Sequence, residues 1–116
     1  MDRVVIWHNP SCGSSRNALA YLKDKGVEPS IYLYLKEKPS KTEIEAVLKR
    51  LNLPPSGLLR PKQPEGETVG VYEVGVSEAD ILNAMAAEPI LIQRPIVLTK
   101  KGAVIARPKE KIDAVL

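Results

Sequence analysis

The sequence predicts an α/β fold, a four-stranded mixed sheet with flanking helices. Three observations carry this. A β-branched run, Arg3–Trp7 (RVVIW), leads through a helical stretch to a second strand-like run, Ser30–Leu35 (SIYLYL). That spacing suits a right-handed crossover between parallel strands. Towards the other end, Pro95–Thr99 and Ala103–Ala106 read as strands joined by Lys100-Lys101-Gly102, a hairpin signal. Between the two pairs, apolar residues recur at helical intervals behind capping residues.

Each element has its local reason. Asn9-Pro10 forces a turn after the first strand. Ala18, Leu19 and Leu22 then set a helix over about residues 14–25, with Gly26 at its end. Ser40-Lys41-Thr42-Glu43 is a capping box for a helix whose apolar face includes Ile44, Val47, Leu48 and Leu51. Asn52 to Pro55 stops it. Pro61 to Gly70, rich in Pro, Gly and Glu, reads as an exposed loop. Ser77 with Asp80 opens another helix, with Ile81, Leu82 and Met85 on one face, closing before Pro89. Pro108 suits the first turn of a short terminal helix. The order is β-α-β, a helical middle, a β-hairpin and a final helix. This is a thioredoxin-like arrangement in one domain, residues 1–116, with a helical insertion over about residues 40–89. The insertion is expected over the sheet end that bears Cys12.

Composition narrows the function. With 116 residues, 44% apolar and 27% charged, the chain has the profile of an ordinary globular protein. Phe is absent, so aliphatic residues must fill the core. No apolar run approaches the ~20 residues of a membrane span, and the N-terminus lacks the pattern of a secretory leader. A cytoplasmic protein without a membrane partner is expected. The net charge of +3 is spread among acids, as in Lys36-Glu37-Lys38 and Lys109-Glu110-Lys111, without interleaved aromatics. That pattern suits a small anion better than nucleic acid. One Cys and one His exclude a structural zinc site, and no dinucleotide or Walker fingerprint appears.

The lone cysteine is the most informative residue. Cys12 lies in HNPSCGSSRN, at or just before the start of the first helix. Unpaired N–H groups and the positive end of the helix dipole favour negative charge there. A thiol so placed has a lowered pKa, and an oxyanion can dock on the same groups, here Gly13, Ser14, Ser15 and Arg16. A free cysteine is commonly an inert buried hydrophobe. Its polar neighbours argue against that here. His8, four residues upstream, is a candidate source of further positive charge, its protonation state being left open by the sequence.

Three of the six arginines precede proline: Arg60-Pro61, Arg94-Pro95 and Arg107-Pro108. Proline keeps the preceding residue extended, so each arginine projects from the edge of an element. A guanidinium offers a planar fork of donors matched to oxyanions. Three such forks meeting one thiolate would form a site for a tetrahedral oxyanion. Arg94-Pro95, just before a strand, is expected to be cis by analogy with other thioredoxin-like folds.

HNPSCGSSRNAL, Leu58-Leu59-Arg60, PILIQRPIV (Pro89 to Val97) and Ala106-Arg107-Pro108, in this order and spacing, resemble the glutaredoxin-coupled arsenate reductases. The resemblance covers nearly the whole chain. It implies that Cys12 is the nucleophile and that His8 helps to activate it. It also implies that Arg60, Arg94 and Arg107 bind the oxyanion and stabilise the thiolate. No bound cofactor is implied; arsenate is the substrate, glutathione the thiol co-substrate and glutaredoxin the partner. The segment Gln63–Val76 departs from the family pattern. With one cysteine, and Ser15 where a C-x-x-C motif has its second, the resolving thiol must come from outside. A phosphatase-like C-x5-R loop is absent, since Ala18 stands where its arginine would be. Two alternatives remain at this level: a general glutathione-dependent thiol reductase, and a non-enzymatic Spx-like RNA polymerase-binding regulator.

Overall fold

The structure, a computed structural model, describes residues 3–116. The chain divides into two compact units, one formed by the segment up to Glu37 together with Arg94–Leu116, the other by Lys38–Gln93.

The first unit holds β1 (Val5–Trp7), α1 (Gly13–Asp24), β2 (Ser30–Tyr32), α2 (Tyr34–Glu37), β3 (Ile96–Thr99), β4 (Gly102–Ile105) and a 3₁₀ segment, Lys109–Val115. Its sheet has the order β2-β1-β3-β4. The β1 and β2 strands are parallel, with Ile6 opposite Ile31, and the other pairings are antiparallel. Alternation sends Ile6 and Val97, both fully buried, to one face. There Ala18 and Leu22 of α1 and Ile112 and Val115 of the 3₁₀ segment pack on them. Trp7 points to the opposite face, where its ring meets those of Tyr32 at 5.0 Å and Tyr34 at 6.1 Å.

That aromatic cluster explains the first departure from expectation. The SIYLYL run stays extended only to Tyr32, and from Tyr34 the chain turns into α2. Beyond Tyr32 this edge strand has no partner residue on β1, whose ladder ends at Trp7. Turning there buries the Tyr34 ring, 1% exposed, against Trp7. The hairpin turn is the two residues Lys100-Lys101, since Gly102 already pairs with Thr99. Pro108 stands just ahead of the last helical segment rather than inside it, and that segment is 3₁₀. Arg94-Pro95 is cis as expected; Arg107-Pro108 is cis too, which the sequence did not suggest.

The second unit contains α3 (Lys41–Leu51), α4 (Pro55–Leu58), α5 (Pro64–Val69), α6 (Glu78–Ala87) and a 3₁₀ turn, Pro89–Leu91. The capping box is complete: the Glu43 N–H donates to Ser40 Oγ at 3.1 Å, and the Ser40 N–H to Glu43 Oε1 at 3.0 Å. Ser77 caps α6 by accepting the Asp80 N–H at 3.0 Å. Ile44, Val47 and Leu48 of α3, Leu58 of α4 and Ile81, Leu82 and Met85 of α6 are buried.

Residues 61–70 are not an exposed loop throughout. Six of them form α5, closed by Gly70 at a left-handed φ of 76°. Tyr72 explains why. Its hydroxyl donates to the Arg60 carbonyl and accepts the Gln63 N–H at 3.0 Å, which holds its ring against the helix. Gly66 is buried beneath that ring, where a Cβ would stand 2.5 Å from Cε2. The glycine that suggested a loop is there for close approach.

Candidate active site

The turn before α1 is built by Asn9. Its side-chain Oδ1 accepts the Ser11 N–H at 3.0 Å and its carbonyl accepts the Cys12 N–H at 3.0 Å. This places Cys12, 9% exposed, at the N-cap of α1 in an extended conformation. Sequence reasoning passed over Asn9 as a functional residue, although Asn followed by Pro and Ser is a turn-forming signal.

The Cys12 side chain makes no capping hydrogen bond, yet its surroundings favour the thiolate. Burial pushes the Cys12 thiol up. Opposing it, and together stronger, are the backbone N–H of Ser15, the positive charge of Arg94, the N–H of Ser14 and a hydrogen bond from the Arg94 side chain. The net pKa lies below the ordinary thiol value. Arg94, 7% exposed, sits immediately before β3, which borders β1 in the sheet. Sheet order thus brings residues 12 and 94 together.

His8 takes its charge state from its surroundings. It is buried, and desolvation, with the nearby charge of Arg16 as a second cause, lowers its pKa from 6.5. It is therefore neutral around pH 7 and adds no positive charge. Its Nδ1 lies 2.6 Å from Ser15 Oγ, which also accepts the Asn9 N–H at 3.0 Å. Ser15 is fully buried and locks the turn to the first turn of α1.

The remaining predicted residues divide. Gly13 opens α1, and Ser14 and Ser15 turn their N–H groups to the sulfur. Arg16 does not offer its N–H to a ligand, because that group bonds the Cys12 carbonyl at 3.0 Å; its guanidinium donates to the Pro10 carbonyl at 2.8 Å. Arg107 is exposed and lines a cleft with Ser14 and Asn17 of α1. Arg60 belongs to the second unit. Its N–H donates to the Leu91 carbonyl at 2.7 Å, beside the short antiparallel pairing of Leu59 with Ile92. Among the described residues no cluster of His, Cys, Asp or Glu could hold a metal ion, and no helix is long and apolar enough to cross a membrane.

Cys12 thus stands at the head of α1, beside a buried arginine that precedes a cis-proline and β3. The ArsC family model aligns with residues 7–115. The chain belongs to the ArsC family. An arsenate reductase of Rhizobium meliloti is 38% identical, the match covering 97% of this chain and 81% of the relative. One from Escherichia coli is 36% identical over the whole of this chain and 82% of the relative. Among solved structures, the arsenate reductase from Vibrio cholerae superposes with a TM-score of 0.94 at 34% identity, covering 99% of this chain and 98% of that one. The ArsC family and these neighbours carry the thioredoxin-like fold, and the mixed four-stranded sheet described above is its form here.

Proposed function

We propose that this ArsC-family chain is an arsenate reductase acting through a Cys12–arsenate adduct, with glutathione and glutaredoxin as external thiols. The observation that carries the reading is the Cys12 thiol, lowered in pKa beside the buried guanidinium of Arg94. The names of its relatives support the substrate.

The Cys12 thiolate attacks arsenic(V); a sulfur–arsenic bond forms and one arsenate oxygen leaves as water after protonation. The positive charge of Arg94 and the N–H groups of Ser14 and Ser15 hold the anionic sulfur and the incoming oxyanion. Arg107, which lines a cleft with Ser14, offers a second guanidinium fork. The same role for Arg60 rests on the sequence resemblance. Glutathione thiolate then attacks the Cys12 sulfur. A disulfide forms, the sulfur–arsenic bond breaks, and its electron pair stays on arsenic, which departs as arsenite. Glutaredoxin clears the Cys12–glutathione disulfide by thiol exchange. Two external thiols supply the two electrons, because the chain has no second cysteine. Neutral His8 serves as a positioning residue, holding Ser15 so that its N–H faces the sulfur.

The test is NADPH oxidation in a mixture of arsenate, glutathione, glutaredoxin and its reductase. Turnover is expected only when every component is present, and Cys12→Ser is expected to abolish it. Arsenate-dependent turnover without an added thiol carrier would overturn the coupling; full activity in Cys12→Ser would overturn the nucleophile.

A further inference from the structure

Arg60 opens a β-turn, Arg60-Pro61-Lys62-Gln63, with proline in second place and a positive φ of 60° at Lys62 in third. That is the type II pattern, which is ordinarily closed by the first carbonyl and the fourth N–H and prefers glycine or asparagine in third place. Lysine has no such preference for a left-handed φ, so the turn needs support from outside itself. One side chain engages both closing groups: the Tyr72 hydroxyl donates to the Arg60 carbonyl and accepts the Gln63 N–H at 3.0 Å. The other peptide group of Arg60 is held as well, its N–H donating to the Leu91 carbonyl at 2.7 Å. With both peptide groups fixed and Pro61 confining its backbone, the Cα–Cβ bond of Arg60 has one direction.

Two glycines deliver the hydroxyl. Gly70, at a φ of 76°, reverses the chain after α5, and the Val71 N–H donates to the Gly66 carbonyl at 3.1 Å. The Tyr72 ring then rests on Gly66, which has no Cβ to keep it away. Most of this device lies in Gln63–Val76, the segment that departs from the family pattern. We infer that Tyr72 is a positioning residue for oxyanion binding: its hydroxyl fixes the turn from which the Arg60 guanidinium is presented to an anionic substrate. The inference rests on the reading of Arg60 as an oxyanion-binding residue, and Tyr72 acts only through its backbone. A guanidinium ends a long stem, so a small rotation at the Cα displaces the fork and spoils its match to paired oxygens.

The test is a double-mutant cycle on oxyanion binding. It is read without turnover, as the arsenate concentration that halves the rate of Cys12 alkylation by iodoacetamide. Tyr72→Phe removes the hydroxyl and keeps the ring on Gly66. It is expected to raise that concentration about three- to tenfold, the change that one net hydrogen bond supports. In an Arg60→Ala background the same change is expected to add nothing, because the side chain it positions is gone. Equal losses in the two backgrounds, a loss in neither, or wild-type arsenate binding by Arg60→Ala each overturn the inference. Arsenate turnover is scored separately. Coupling between Tyr72 and Arg60 in a protein that reduces no arsenate upholds the inference and sinks the reductase reading; arsenate turnover without such coupling does the reverse.

Discussion

Replacing Arg94 with methionine removes the one cationic side chain that both charges and hydrogen-bonds the Cys12 sulfur, while nearly preserving volume at a buried position. The N–H groups of Ser14 and Ser15 remain, so the thiolate loses part of its support rather than all of it. A hydrogen bond to a charged group contributes about 1.5–3 kcal/mol. Ser14, whose N–H serves the same sulfur, lines an open cleft, so solvent screening favours the lower end of that range. About 1.5 kcal/mol corresponds to roughly a tenfold loss of rate. The assay is Cys12 alkylation by iodoacetamide as a function of pH. In Arg94→Met the midpoint is expected to move up in pH and the rate at pH 7 to fall about tenfold, with the high-pH plateau retained. An unchanged midpoint would refute the claim that Arg94 sets the reactivity of the cysteine.

Two further outcomes follow from the same turn. Ser15→Ala leaves the Asn9 N–H and the His8 ring without their buried partner, a loss of about 1–3 kcal/mol in a urea unfolding curve; an unchanged midpoint contradicts the locking role. Acid is expected to destabilise the fold through both titrating groups, because each binds its proton less readily folded than unfolded. The Cys12 contribution is complete above its unfolded pKa of 9.0 and is lost as pH falls through the lowered folded value. The His8 contribution is complete above 6.5 and is lost as pH falls through its own lowered value. Urea midpoints across pH check the sign: Cys12→Ser flattens the upper part of the profile and His8→Asn the lower, and stability rising with acid contradicts both.

The strands, the β3–β4 hairpin and the helices α1, α3 and α6 are legible in the sequence because each depends on neighbours close along the chain. A capping box needs Ser40 and Glu43 only, and the place of Cys12 at a helix start needs only the turn before it and the apolar spacing after it. Short elements escape such reading. α2 exists because Tyr34 meets Trp7, and α5 because Gly66 lets the Tyr72 ring approach closely, contacts that no local pattern encodes.

Residue types alone mark Cys12 and the arginines followed by proline as chemistry-bearing, since a thiol at a helix start and a guanidinium held extended are properties of the chain itself. Which arginine meets the sulfur is a tertiary matter, decided by β3 lying beside β1 and carrying Arg94 to residue 12 across the sheet. The charge of His8 is tertiary as well. Burial and the cation at Arg16 leave the ring neutral, because the free energy of an imidazolium depends on what surrounds it in space and not on what precedes it in the chain.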